Sequence, residues 1–314
     1  MLLSIPKHEF KERQQKFIST YKEKGCEAAV LFSVTDIFYL TGFHFHSTER
    51  PIGIMIDPAD KVHLFVPELE HEHAEEYSVI DYVHSYPEYP GIKHPMEYFK
   101  EVLVKYSFEN KVIGYDSLGY GSPMGYRGAS IDKLIHVKKF ISLYGVVEEM
   151  RFIKSPNEIE LIKESCRWGN LAHRLMQKYT KVGFSEIEIT SKASMEATKA
   201  MIDTLGPDYK PHGQTAYAIF RGQVGPESAF PHAVTQNIVM QKGYTLVTAA
   251  ASSVFGYTSE LEREMFVEEA SKEQEKYFNY MYEAQEVAFQ SIRPGRKYSD
   301  VEKDVQNYFK ENNI

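Results

Sequence analysis

Cysteine is nearly absent: the 314 residues hold two, Cys26 and Cys166, and neither belongs to a CxxC pair. That excludes a disulfide framework and a zinc ribbon, and leaves two free thiols that are expected to be buried. Long apolar runs are missing as well, since no stretch nears the ~18 continuous apolar residues of a membrane span. The opening Met1-Leu2-Leu3-Ser4-Ile5-Pro6-Lys7 turns at once into a charged, helix-like run. It lacks the apolar core of roughly 7 to 15 residues that a signal peptide needs, so cytoplasmic residence is the expectation. Clustered positive charge is missing too: 36 Lys and Arg face 44 Asp and Glu, a net charge of -8. No Lys/Arg stripe is available to a nucleic acid, and neither nucleic acid nor membrane is expected as a partner. With only 19 Gly and 14 Pro, and no internal repeat or low-complexity tract, fibrous and disordered classes are excluded.

What remains is an ordinary globular composition, 43% hydrophobic and 25% charged. At ~100 to 200 residues per domain the length implies two domains, each able to bury a core. From Lys7 to Lys24 spaced apolar residues mark an amphipathic helix. Short apolar runs follow at Ala28 to Phe32, Ile52 to Ile56, Val62 to Val66 and Val112 to Tyr115. Helix-like segments, Pro95 to Tyr106 and Ser130 to Ile135, stand among and after them, the alternation of an α/β domain. At Ser155-Pro156-Asn157-Glu158 a helix start is written out: a serine cap, proline in the first turn and an acid at the positive helix end. A second domain is placed from about here, giving spans 1–145 and 150–314. Its expected elements are helices over 157–179 and 185–204, strands over 216–220, 244–249 and 256–267, and helices over 271–290 and 298–312.

The stretch richest in chemistry is Gly256-Tyr257-Thr258-Ser259-Glu260-Leu261-Glu262-Arg263-Glu264. In a strand, Glu260 and Glu262 share one face, with Tyr257, Ser259 and Arg263 on the other. Two carboxylates on one face can bind a metal, divide acid and base roles, or hold a cation. The same alternation also describes the solvated face of an exposed strand, and spacing alone favours that plainer reading. His232, in Phe230-Pro231-His232-Ala233, has the ordinary pKa of ~6.5 that suits proton transfer, although a lone histidine is more often structural. The pairs His44/His46 and His71/His73 have a chelating spacing on a strand but fit surface or loop positions better. Arg50 can clamp a substrate carboxylate or form a structural ion pair.

Three groups of residues together resemble the creatinase, aminopeptidase P and prolidase family. They are Phe38-Tyr39-Leu40-Thr41-Gly42-Phe43, Arg151-Phe152-Ile153-Lys154-Ser155-Pro156-Asn157-Glu158, and Pro231-His232 followed by Gly243 and Gly256-Tyr257. The resemblance implies an α/β N-terminal domain and an α+β pita-bread catalytic domain. It also implies that the chain, ending at Ile314, is truncated before the last strands of that domain. Metal-dependent members carry two Asp ligands on this part of the chain; here Tyr244 replaces a turn Asp, Ala249 stands at the first ligand and Glu260 at the second. A methyl cannot coordinate a hard cation, so no metal and no other cofactor is expected.

That departure resembles creatinase and ectoine hydrolase, which implies metal-free cleavage of a C–N bond in a small amidine, guanidino or cyclic-amidine substrate. In that reading His232, Glu260 and Glu262 are catalytic, Arg50, Tyr257 and Arg263 bind the substrate, and the protein is a homodimer. Two alternatives stand beside it: a metal-dependent Xaa-Pro dipeptidase or aminopeptidase, and an inactive pita-bread binding module.

Overall fold

The computed structural model describes residues 3–87, 92–120 and 128–314. The chain divides into two compact units, Met1–Ile159 and Glu160–Ile314.

The first unit opens with α1 (Lys7–Glu23), which buries Phe10, Phe17 and Tyr21. Then come β1 (Ala28–Leu31), α2 (Val34–Thr41), β2 (Gly53–Ile56), β3 (Val62–Pro67), α3 (His71–Tyr77) and β4 (Tyr82–Tyr86). The unit continues with α4 (Pro95–Lys105), β5 (Val112–Tyr115), α5 (Ile131–Leu134), β6 (Lys139–Ser142) and α6 (Val146–Phe152). Its strands form one six-stranded sheet in the order β4-β3-β2-β1-β5-β6. β1 runs antiparallel to β2 and parallel to β5, and the two edge strands add in parallel. The unbroken apolar runs of β1 and β2, and β3, which is apolar apart from His63, are wholly buried, as strands covered on both faces require. β4 and β6 are half-exposed edges whose mixed residues give no such run, and neither is among the expected strands.

The Phe38–Phe43 segment is the end of α2 and its cap. Gly42, at φ 79, donates its N–H to the Phe38 carbonyl at 2.8 Å. A Cβ there would also sit 3.0 Å from the Phe10 ring. The junction residues are held by α1. Glu9 accepts from Ser155 Oγ at 2.7 Å and from Asn157 Nδ2 at 2.8 Å, and pairs with Arg13 at 2.7 Å. Arg13 also meets Glu158 at 3.3 Å and lies 4.1 Å from the Tyr39 ring centre. Burial alone would raise the Glu9 pKa, but the Asn157, Ser155 and Arg13 donors outweigh it and the carboxyl titrates below its ordinary range. The expected capping of the next helix is present, Glu158 N–H donating to Ser155 Oγ at 3.1 Å and Ser155 N–H to Glu158 Oε2 at 2.7 Å.

The second unit holds most of α7 (Pro156–Tyr179), then α8 (Glu186–Leu205), β7 (Tyr217–Ile219), β8 (Thr245–Ala251), β9 (Ser253–Val254) and β10 (Tyr257–Thr258). It ends with β11 (Leu261–Phe266), α9 (Lys272–Ser291) and α10 (Tyr298–Glu311). β8 is central in a three-stranded antiparallel sheet, β11-β8-β7.

The single strand expected over 256–267 is corrected to two. Phe255 (φ 50) and Gly256 (φ 76) make a turn that folds β10 back on β9, and the chain then breaks at Ser259 and Glu260. The break exists because Ser259 is drawn into a buried serine knot. Its N–H donates to Ser165 Oγ at 2.7 Å and its hydroxyl to the Ser165 carbonyl at 3.1 Å, while Ser165 Oγ donates to the Ser252 carbonyl at 2.6 Å. Gly169, one turn further along α7, lets the strands approach: a Cβ there would meet Ser259 Oγ at 2.9 Å. Of the two thiols expected to be buried, Cys26 is, but Cys166 is exposed on α7. Its helical neighbours Ser165 and Glu164 face inward instead.

Candidate functional site

Residues directly opposite in an antiparallel pair share a face, so Ile219, Ala249 and Glu262 form one row across the sheet, with Val247 and Glu264 in the next. The other face is the covered one. There the Thr248 hydroxyl donates to the Arg263 carbonyl at 2.7 Å, which leaves it to accept from Nε2 of buried His173 on α7 at 2.9 Å. Burial, then the nearby Arg263 charge, lowers the His173 pKa, so this histidine is a neutral structural donor at pH 7. Sequence reading did not single it out, because a histidine inside an amphipathic helix carries no local mark.

On the open face the carboxylate of Glu262 is ion-paired with the guanidinium of Arg221. Arg221 follows β7, and β8 lies between β7 and β11, so the pair crosses β8 on the side that bears Ala249 and Val247. The turn that presents it is tightly defined. Arg221 itself has φ 55, a costly conformation for a residue with a side chain. At Gly222 (φ 71) a Cβ would fall 2.3 Å from the Val234 carbonyl carbon, so only glycine fits against the segment that follows His232. Gln223 comes next, 6% exposed, and its Oε1 has no hydrogen-bond partner among the described residues.

The residues singled out from the sequence fall as follows. Glu262 lies on β11 with Arg221 as partner. Glu260 lies in the break before β11, exposed, and makes no hydrogen bond or ion pair among the described residues. His232 is exposed on a turn and shares no such bond with either glutamate. Tyr257 is half-buried on β10. Arg263 is exposed, its Nη1 donating to the Glu262 carbonyl at 2.6 Å. Arg50 belongs to the first unit and is ion-paired with Glu49 at 3.3 Å. Of the two histidine pairs, His71 and His73 sit on α3, bonded to Ser85 and Glu70 respectively. The geometry thus joins Glu262 to a residue that sequence reading passed over; an Arg-Gly pair just after a short apolar strand was the available signal.

This architecture, an α/β unit followed by helices laid on an antiparallel sheet with an acid-bearing strand, defines a pita-bread protein with an N-terminal α/β domain. The Creatinase/Prolidase N-terminal domain matches residues 13–153, and Metallopeptidase family M24 matches residues 160–314. The chain belongs to the creatinase and prolidase family. It is 25% identical over 301 residues to the Xaa-Pro dipeptidase of Pyrococcus horikoshii, covering 96% of this chain and 77% of that one. To the Xaa-Pro dipeptidase of Pyrococcus furiosus it is 24% identical over 307 residues, covering 96% and 78%. The crystal structure of the prolidase from Pyrococcus horikoshii superposes with a TM-score of 0.73 at 23% identity, over 96% of this chain and 78% of that one, which shows a shared fold.

These findings correct the expected activity. Metal-free cleavage of an amidine or guanidino C–N bond was inferred from Tyr244, Ala249 and Glu260 standing where metal-dependent members carry aspartates, whereas the likeness over 96% of the chain is to proteins named as Xaa-Pro dipeptidases. Likewise, a metal-independent protein is at odds with the metallopeptidase family matched by the second unit. The metal implied by that family is not held by these residues alone. Ala249 presents a methyl opposite Glu262, and among the described residues no group of three His, Cys, Asp or Glu side chains is placed to hold an ion.

Proposed function

We propose that the chain acts as a peptidase on free dipeptides, with Xaa-Pro as the substrate class. The observation that carries this reading is the likeness running through both units, over 96% of the chain, to two Xaa-Pro dipeptidases. In this reading Glu262 holds the cationic amino end of the substrate, Glu260 supports it and His232 moves protons, with Tyr257 and Arg263 binding the remainder. Cytoplasmic residence and a homodimer belong to the same proposal, and light scattering on the purified protein tests the dimer. The test of the activity is release of free proline from Gly-Pro, Ala-Pro and Met-Pro, with manganese added and with chelator added. His232→Ala is expected to lower turnover by about 10²- to 10⁴-fold, the usual contribution of a positioned proton donor. Absence of proline release under every metal condition, in protein shown to be folded, overturns the reading.

A further inference from the structure

The first unit holds a line of titratable groups that the proposed peptidase reaction does not use. It starts at Asp57, just after β2 and buried. Oδ1 of Asp57 accepts the Ala59 and Lys61 amides at 2.8 and 2.9 Å, which fixes the carboxylate, and Oδ2 lies 3.1 Å from Nε2 of His63 on β3. His63 is fully buried, and its Nδ1 lies 3.0 Å from Nε2 of His84 on the edge strand β4. Burial lowers the pKa of His63, so near pH 7 its ring is uncharged and carries one N–H. A carboxylate only accepts, so that hydrogen sits on Nε2 and leaves Nδ1 as an acceptor. His84 must then donate from its own Nε2, which strips Nδ1 of a proton. The imidazole that bears this lone pair is half-exposed, and Nδ1 has no hydrogen-bond partner among the described residues. The rings of Tyr82 and Tyr106 hold it, 6.4 and 5.2 Å away between centres. The charges that reach His84 are those of His63, Lys105 and His71, while the nearby acids Glu68 and Glu75 are engaged by Ser85 and His71. A fixed imidazole with a bare nitrogen in cationic surroundings suits an anionic electrophile.

We propose that Nδ1 of His84 is a modification site for small phosphoryl donors, phosphoramidates or acyl phosphates, with His63 and Asp57 as positioning residues that take over its proton. The Nδ1 lone pair forms the N–P bond as the bond from phosphorus to the leaving group breaks, and the leaving group departs with that electron pair. The Nε2 proton of His84 then passes to Nδ1 of His63. His63 becomes an imidazolium that donates from Nε2 to Asp57 and from Nδ1 back to the bare Nε2 of the modified ring. No proton leaves the three groups, and the buried carboxylate 3.1 Å away offsets the new charge on His63. Lys105 favours the added phosphoryl charge. An isolated surface histidine has no such internal acceptor and must give its proton to water. The site lies in the first unit, and its test does not depend on any peptidase activity.

The experiment treats the whole chain with phosphoramidate near neutral pH, where ammonia is the leaving group, and follows each histidine by mass spectrometry under alkaline conditions that preserve the N–P bond. His232, exposed on its turn, is the internal reference. His84 is expected to react about 10-fold faster than His232, a modest share of the roughly 10²- to 10⁴-fold that a positioned proton acceptor supplies, and to carry the phosphoryl group on Nδ1. His63→Gln and Asp57→Asn should each bring His84 down to the rate of His232 and leave His232 unchanged. Because either change can unsettle the fold, untreated wild-type protein gives a second reading: long-range proton–nitrogen NMR correlations should show His84 protonated on Nε2 and bare on Nδ1. The opposite tautomer, phosphorylation on Nε2, a His84 rate no greater than that of His232, or a rate unmoved by His63→Gln in folded protein overturns the proposal.

Discussion

Asp36 offers a quantitative test of how the first unit is balanced. It sits in the first turn of α2 and is 3% exposed. Burial first, then the nearby carboxylates Glu148 and Asp116, push its pKa up to about 7, against the partial relief of Arg151 and Ser33. An unfolded aspartate titrates near 3.9. The folded state therefore holds a proton that the unfolded chain gives up between about pH 4 and 7. Stability from the protonated carboxyl is present in full below pH 4 and is lost as pH rises through 7. That interval corresponds to roughly 4 kcal/mol. Asp36→Asn keeps the shape and removes the ionisation, so the variant should be more stable than wild type by about 2 to 4 kcal/mol at pH 8 and nearly equal to it at pH 4.

The sole tryptophan, Trp168, lies in the second unit, so the assay must be local. Hydrogen exchange of the Phe32 and Ser33 amides, which donate to Asp116 at 2.9 and 2.8 Å, reads the right place. If the difference in protection between variant and wild type does not grow from pH 5 to pH 8, the account of Asp36 is wrong.

Two further outcomes follow from other buried polar groups. Burial, followed by the charges of His63, Lys105 and His71, brings the pKa of His84 down to about 4, and its Nε2 is 3.0 Å from Nδ1 of His63. A depressed base binds fewer protons folded than unfolded, so stability should fall as pH drops from about 6.5 toward 4, by roughly 2 kcal/mol; His84→Asn should flatten that slope in thermal melts, and an unchanged slope refutes it. Ser165→Ala removes the acceptor of the Ser259 N–H and a donor to Ser252, for a cost of about 2 kcal/mol. Urea unfolding followed by Trp168 emission checks this, and an unmoved midpoint contradicts the serine knot.

The elements legible in the sequence were those whose period or punctuation is set locally. Helices α7, α8, α9 and α10 lie within a residue or two of their expected bounds, each opened by a cap or a turn signal. The buried strands β1 to β3 announced themselves as short apolar runs, broken only by His63 in β3. What escaped was decided by distant partners: β4 and β6 are defined by the neighbour they pair with, and Ser259 leaves the strand only because α7 supplies Ser165 and Gly169. The same holds at the site. Glu262 was visible from the alternation of its own strand, but its partner Arg221 lies 41 residues earlier, across an intervening strand, and no local pattern joins them. The activity went astray because three positions, Tyr244, Ala249 and Glu260, were weighed above a likeness spread over 96% of the chain.

The attachment of Ser155 and Asn157 to Glu9 bears on how the protein is made. The contact between Glu9 and Ser155 spans 146 residues, so the amino-terminal helix cannot close its buried polar face until almost all of the first unit has been synthesised. Until then Glu9 and Arg13 wait beside an incomplete sheet without the donors and acceptors supplied from residues 155–158. During synthesis this polar network is therefore completed only after residues 155–158 have emerged, long after the apolar side of the same helix can pack.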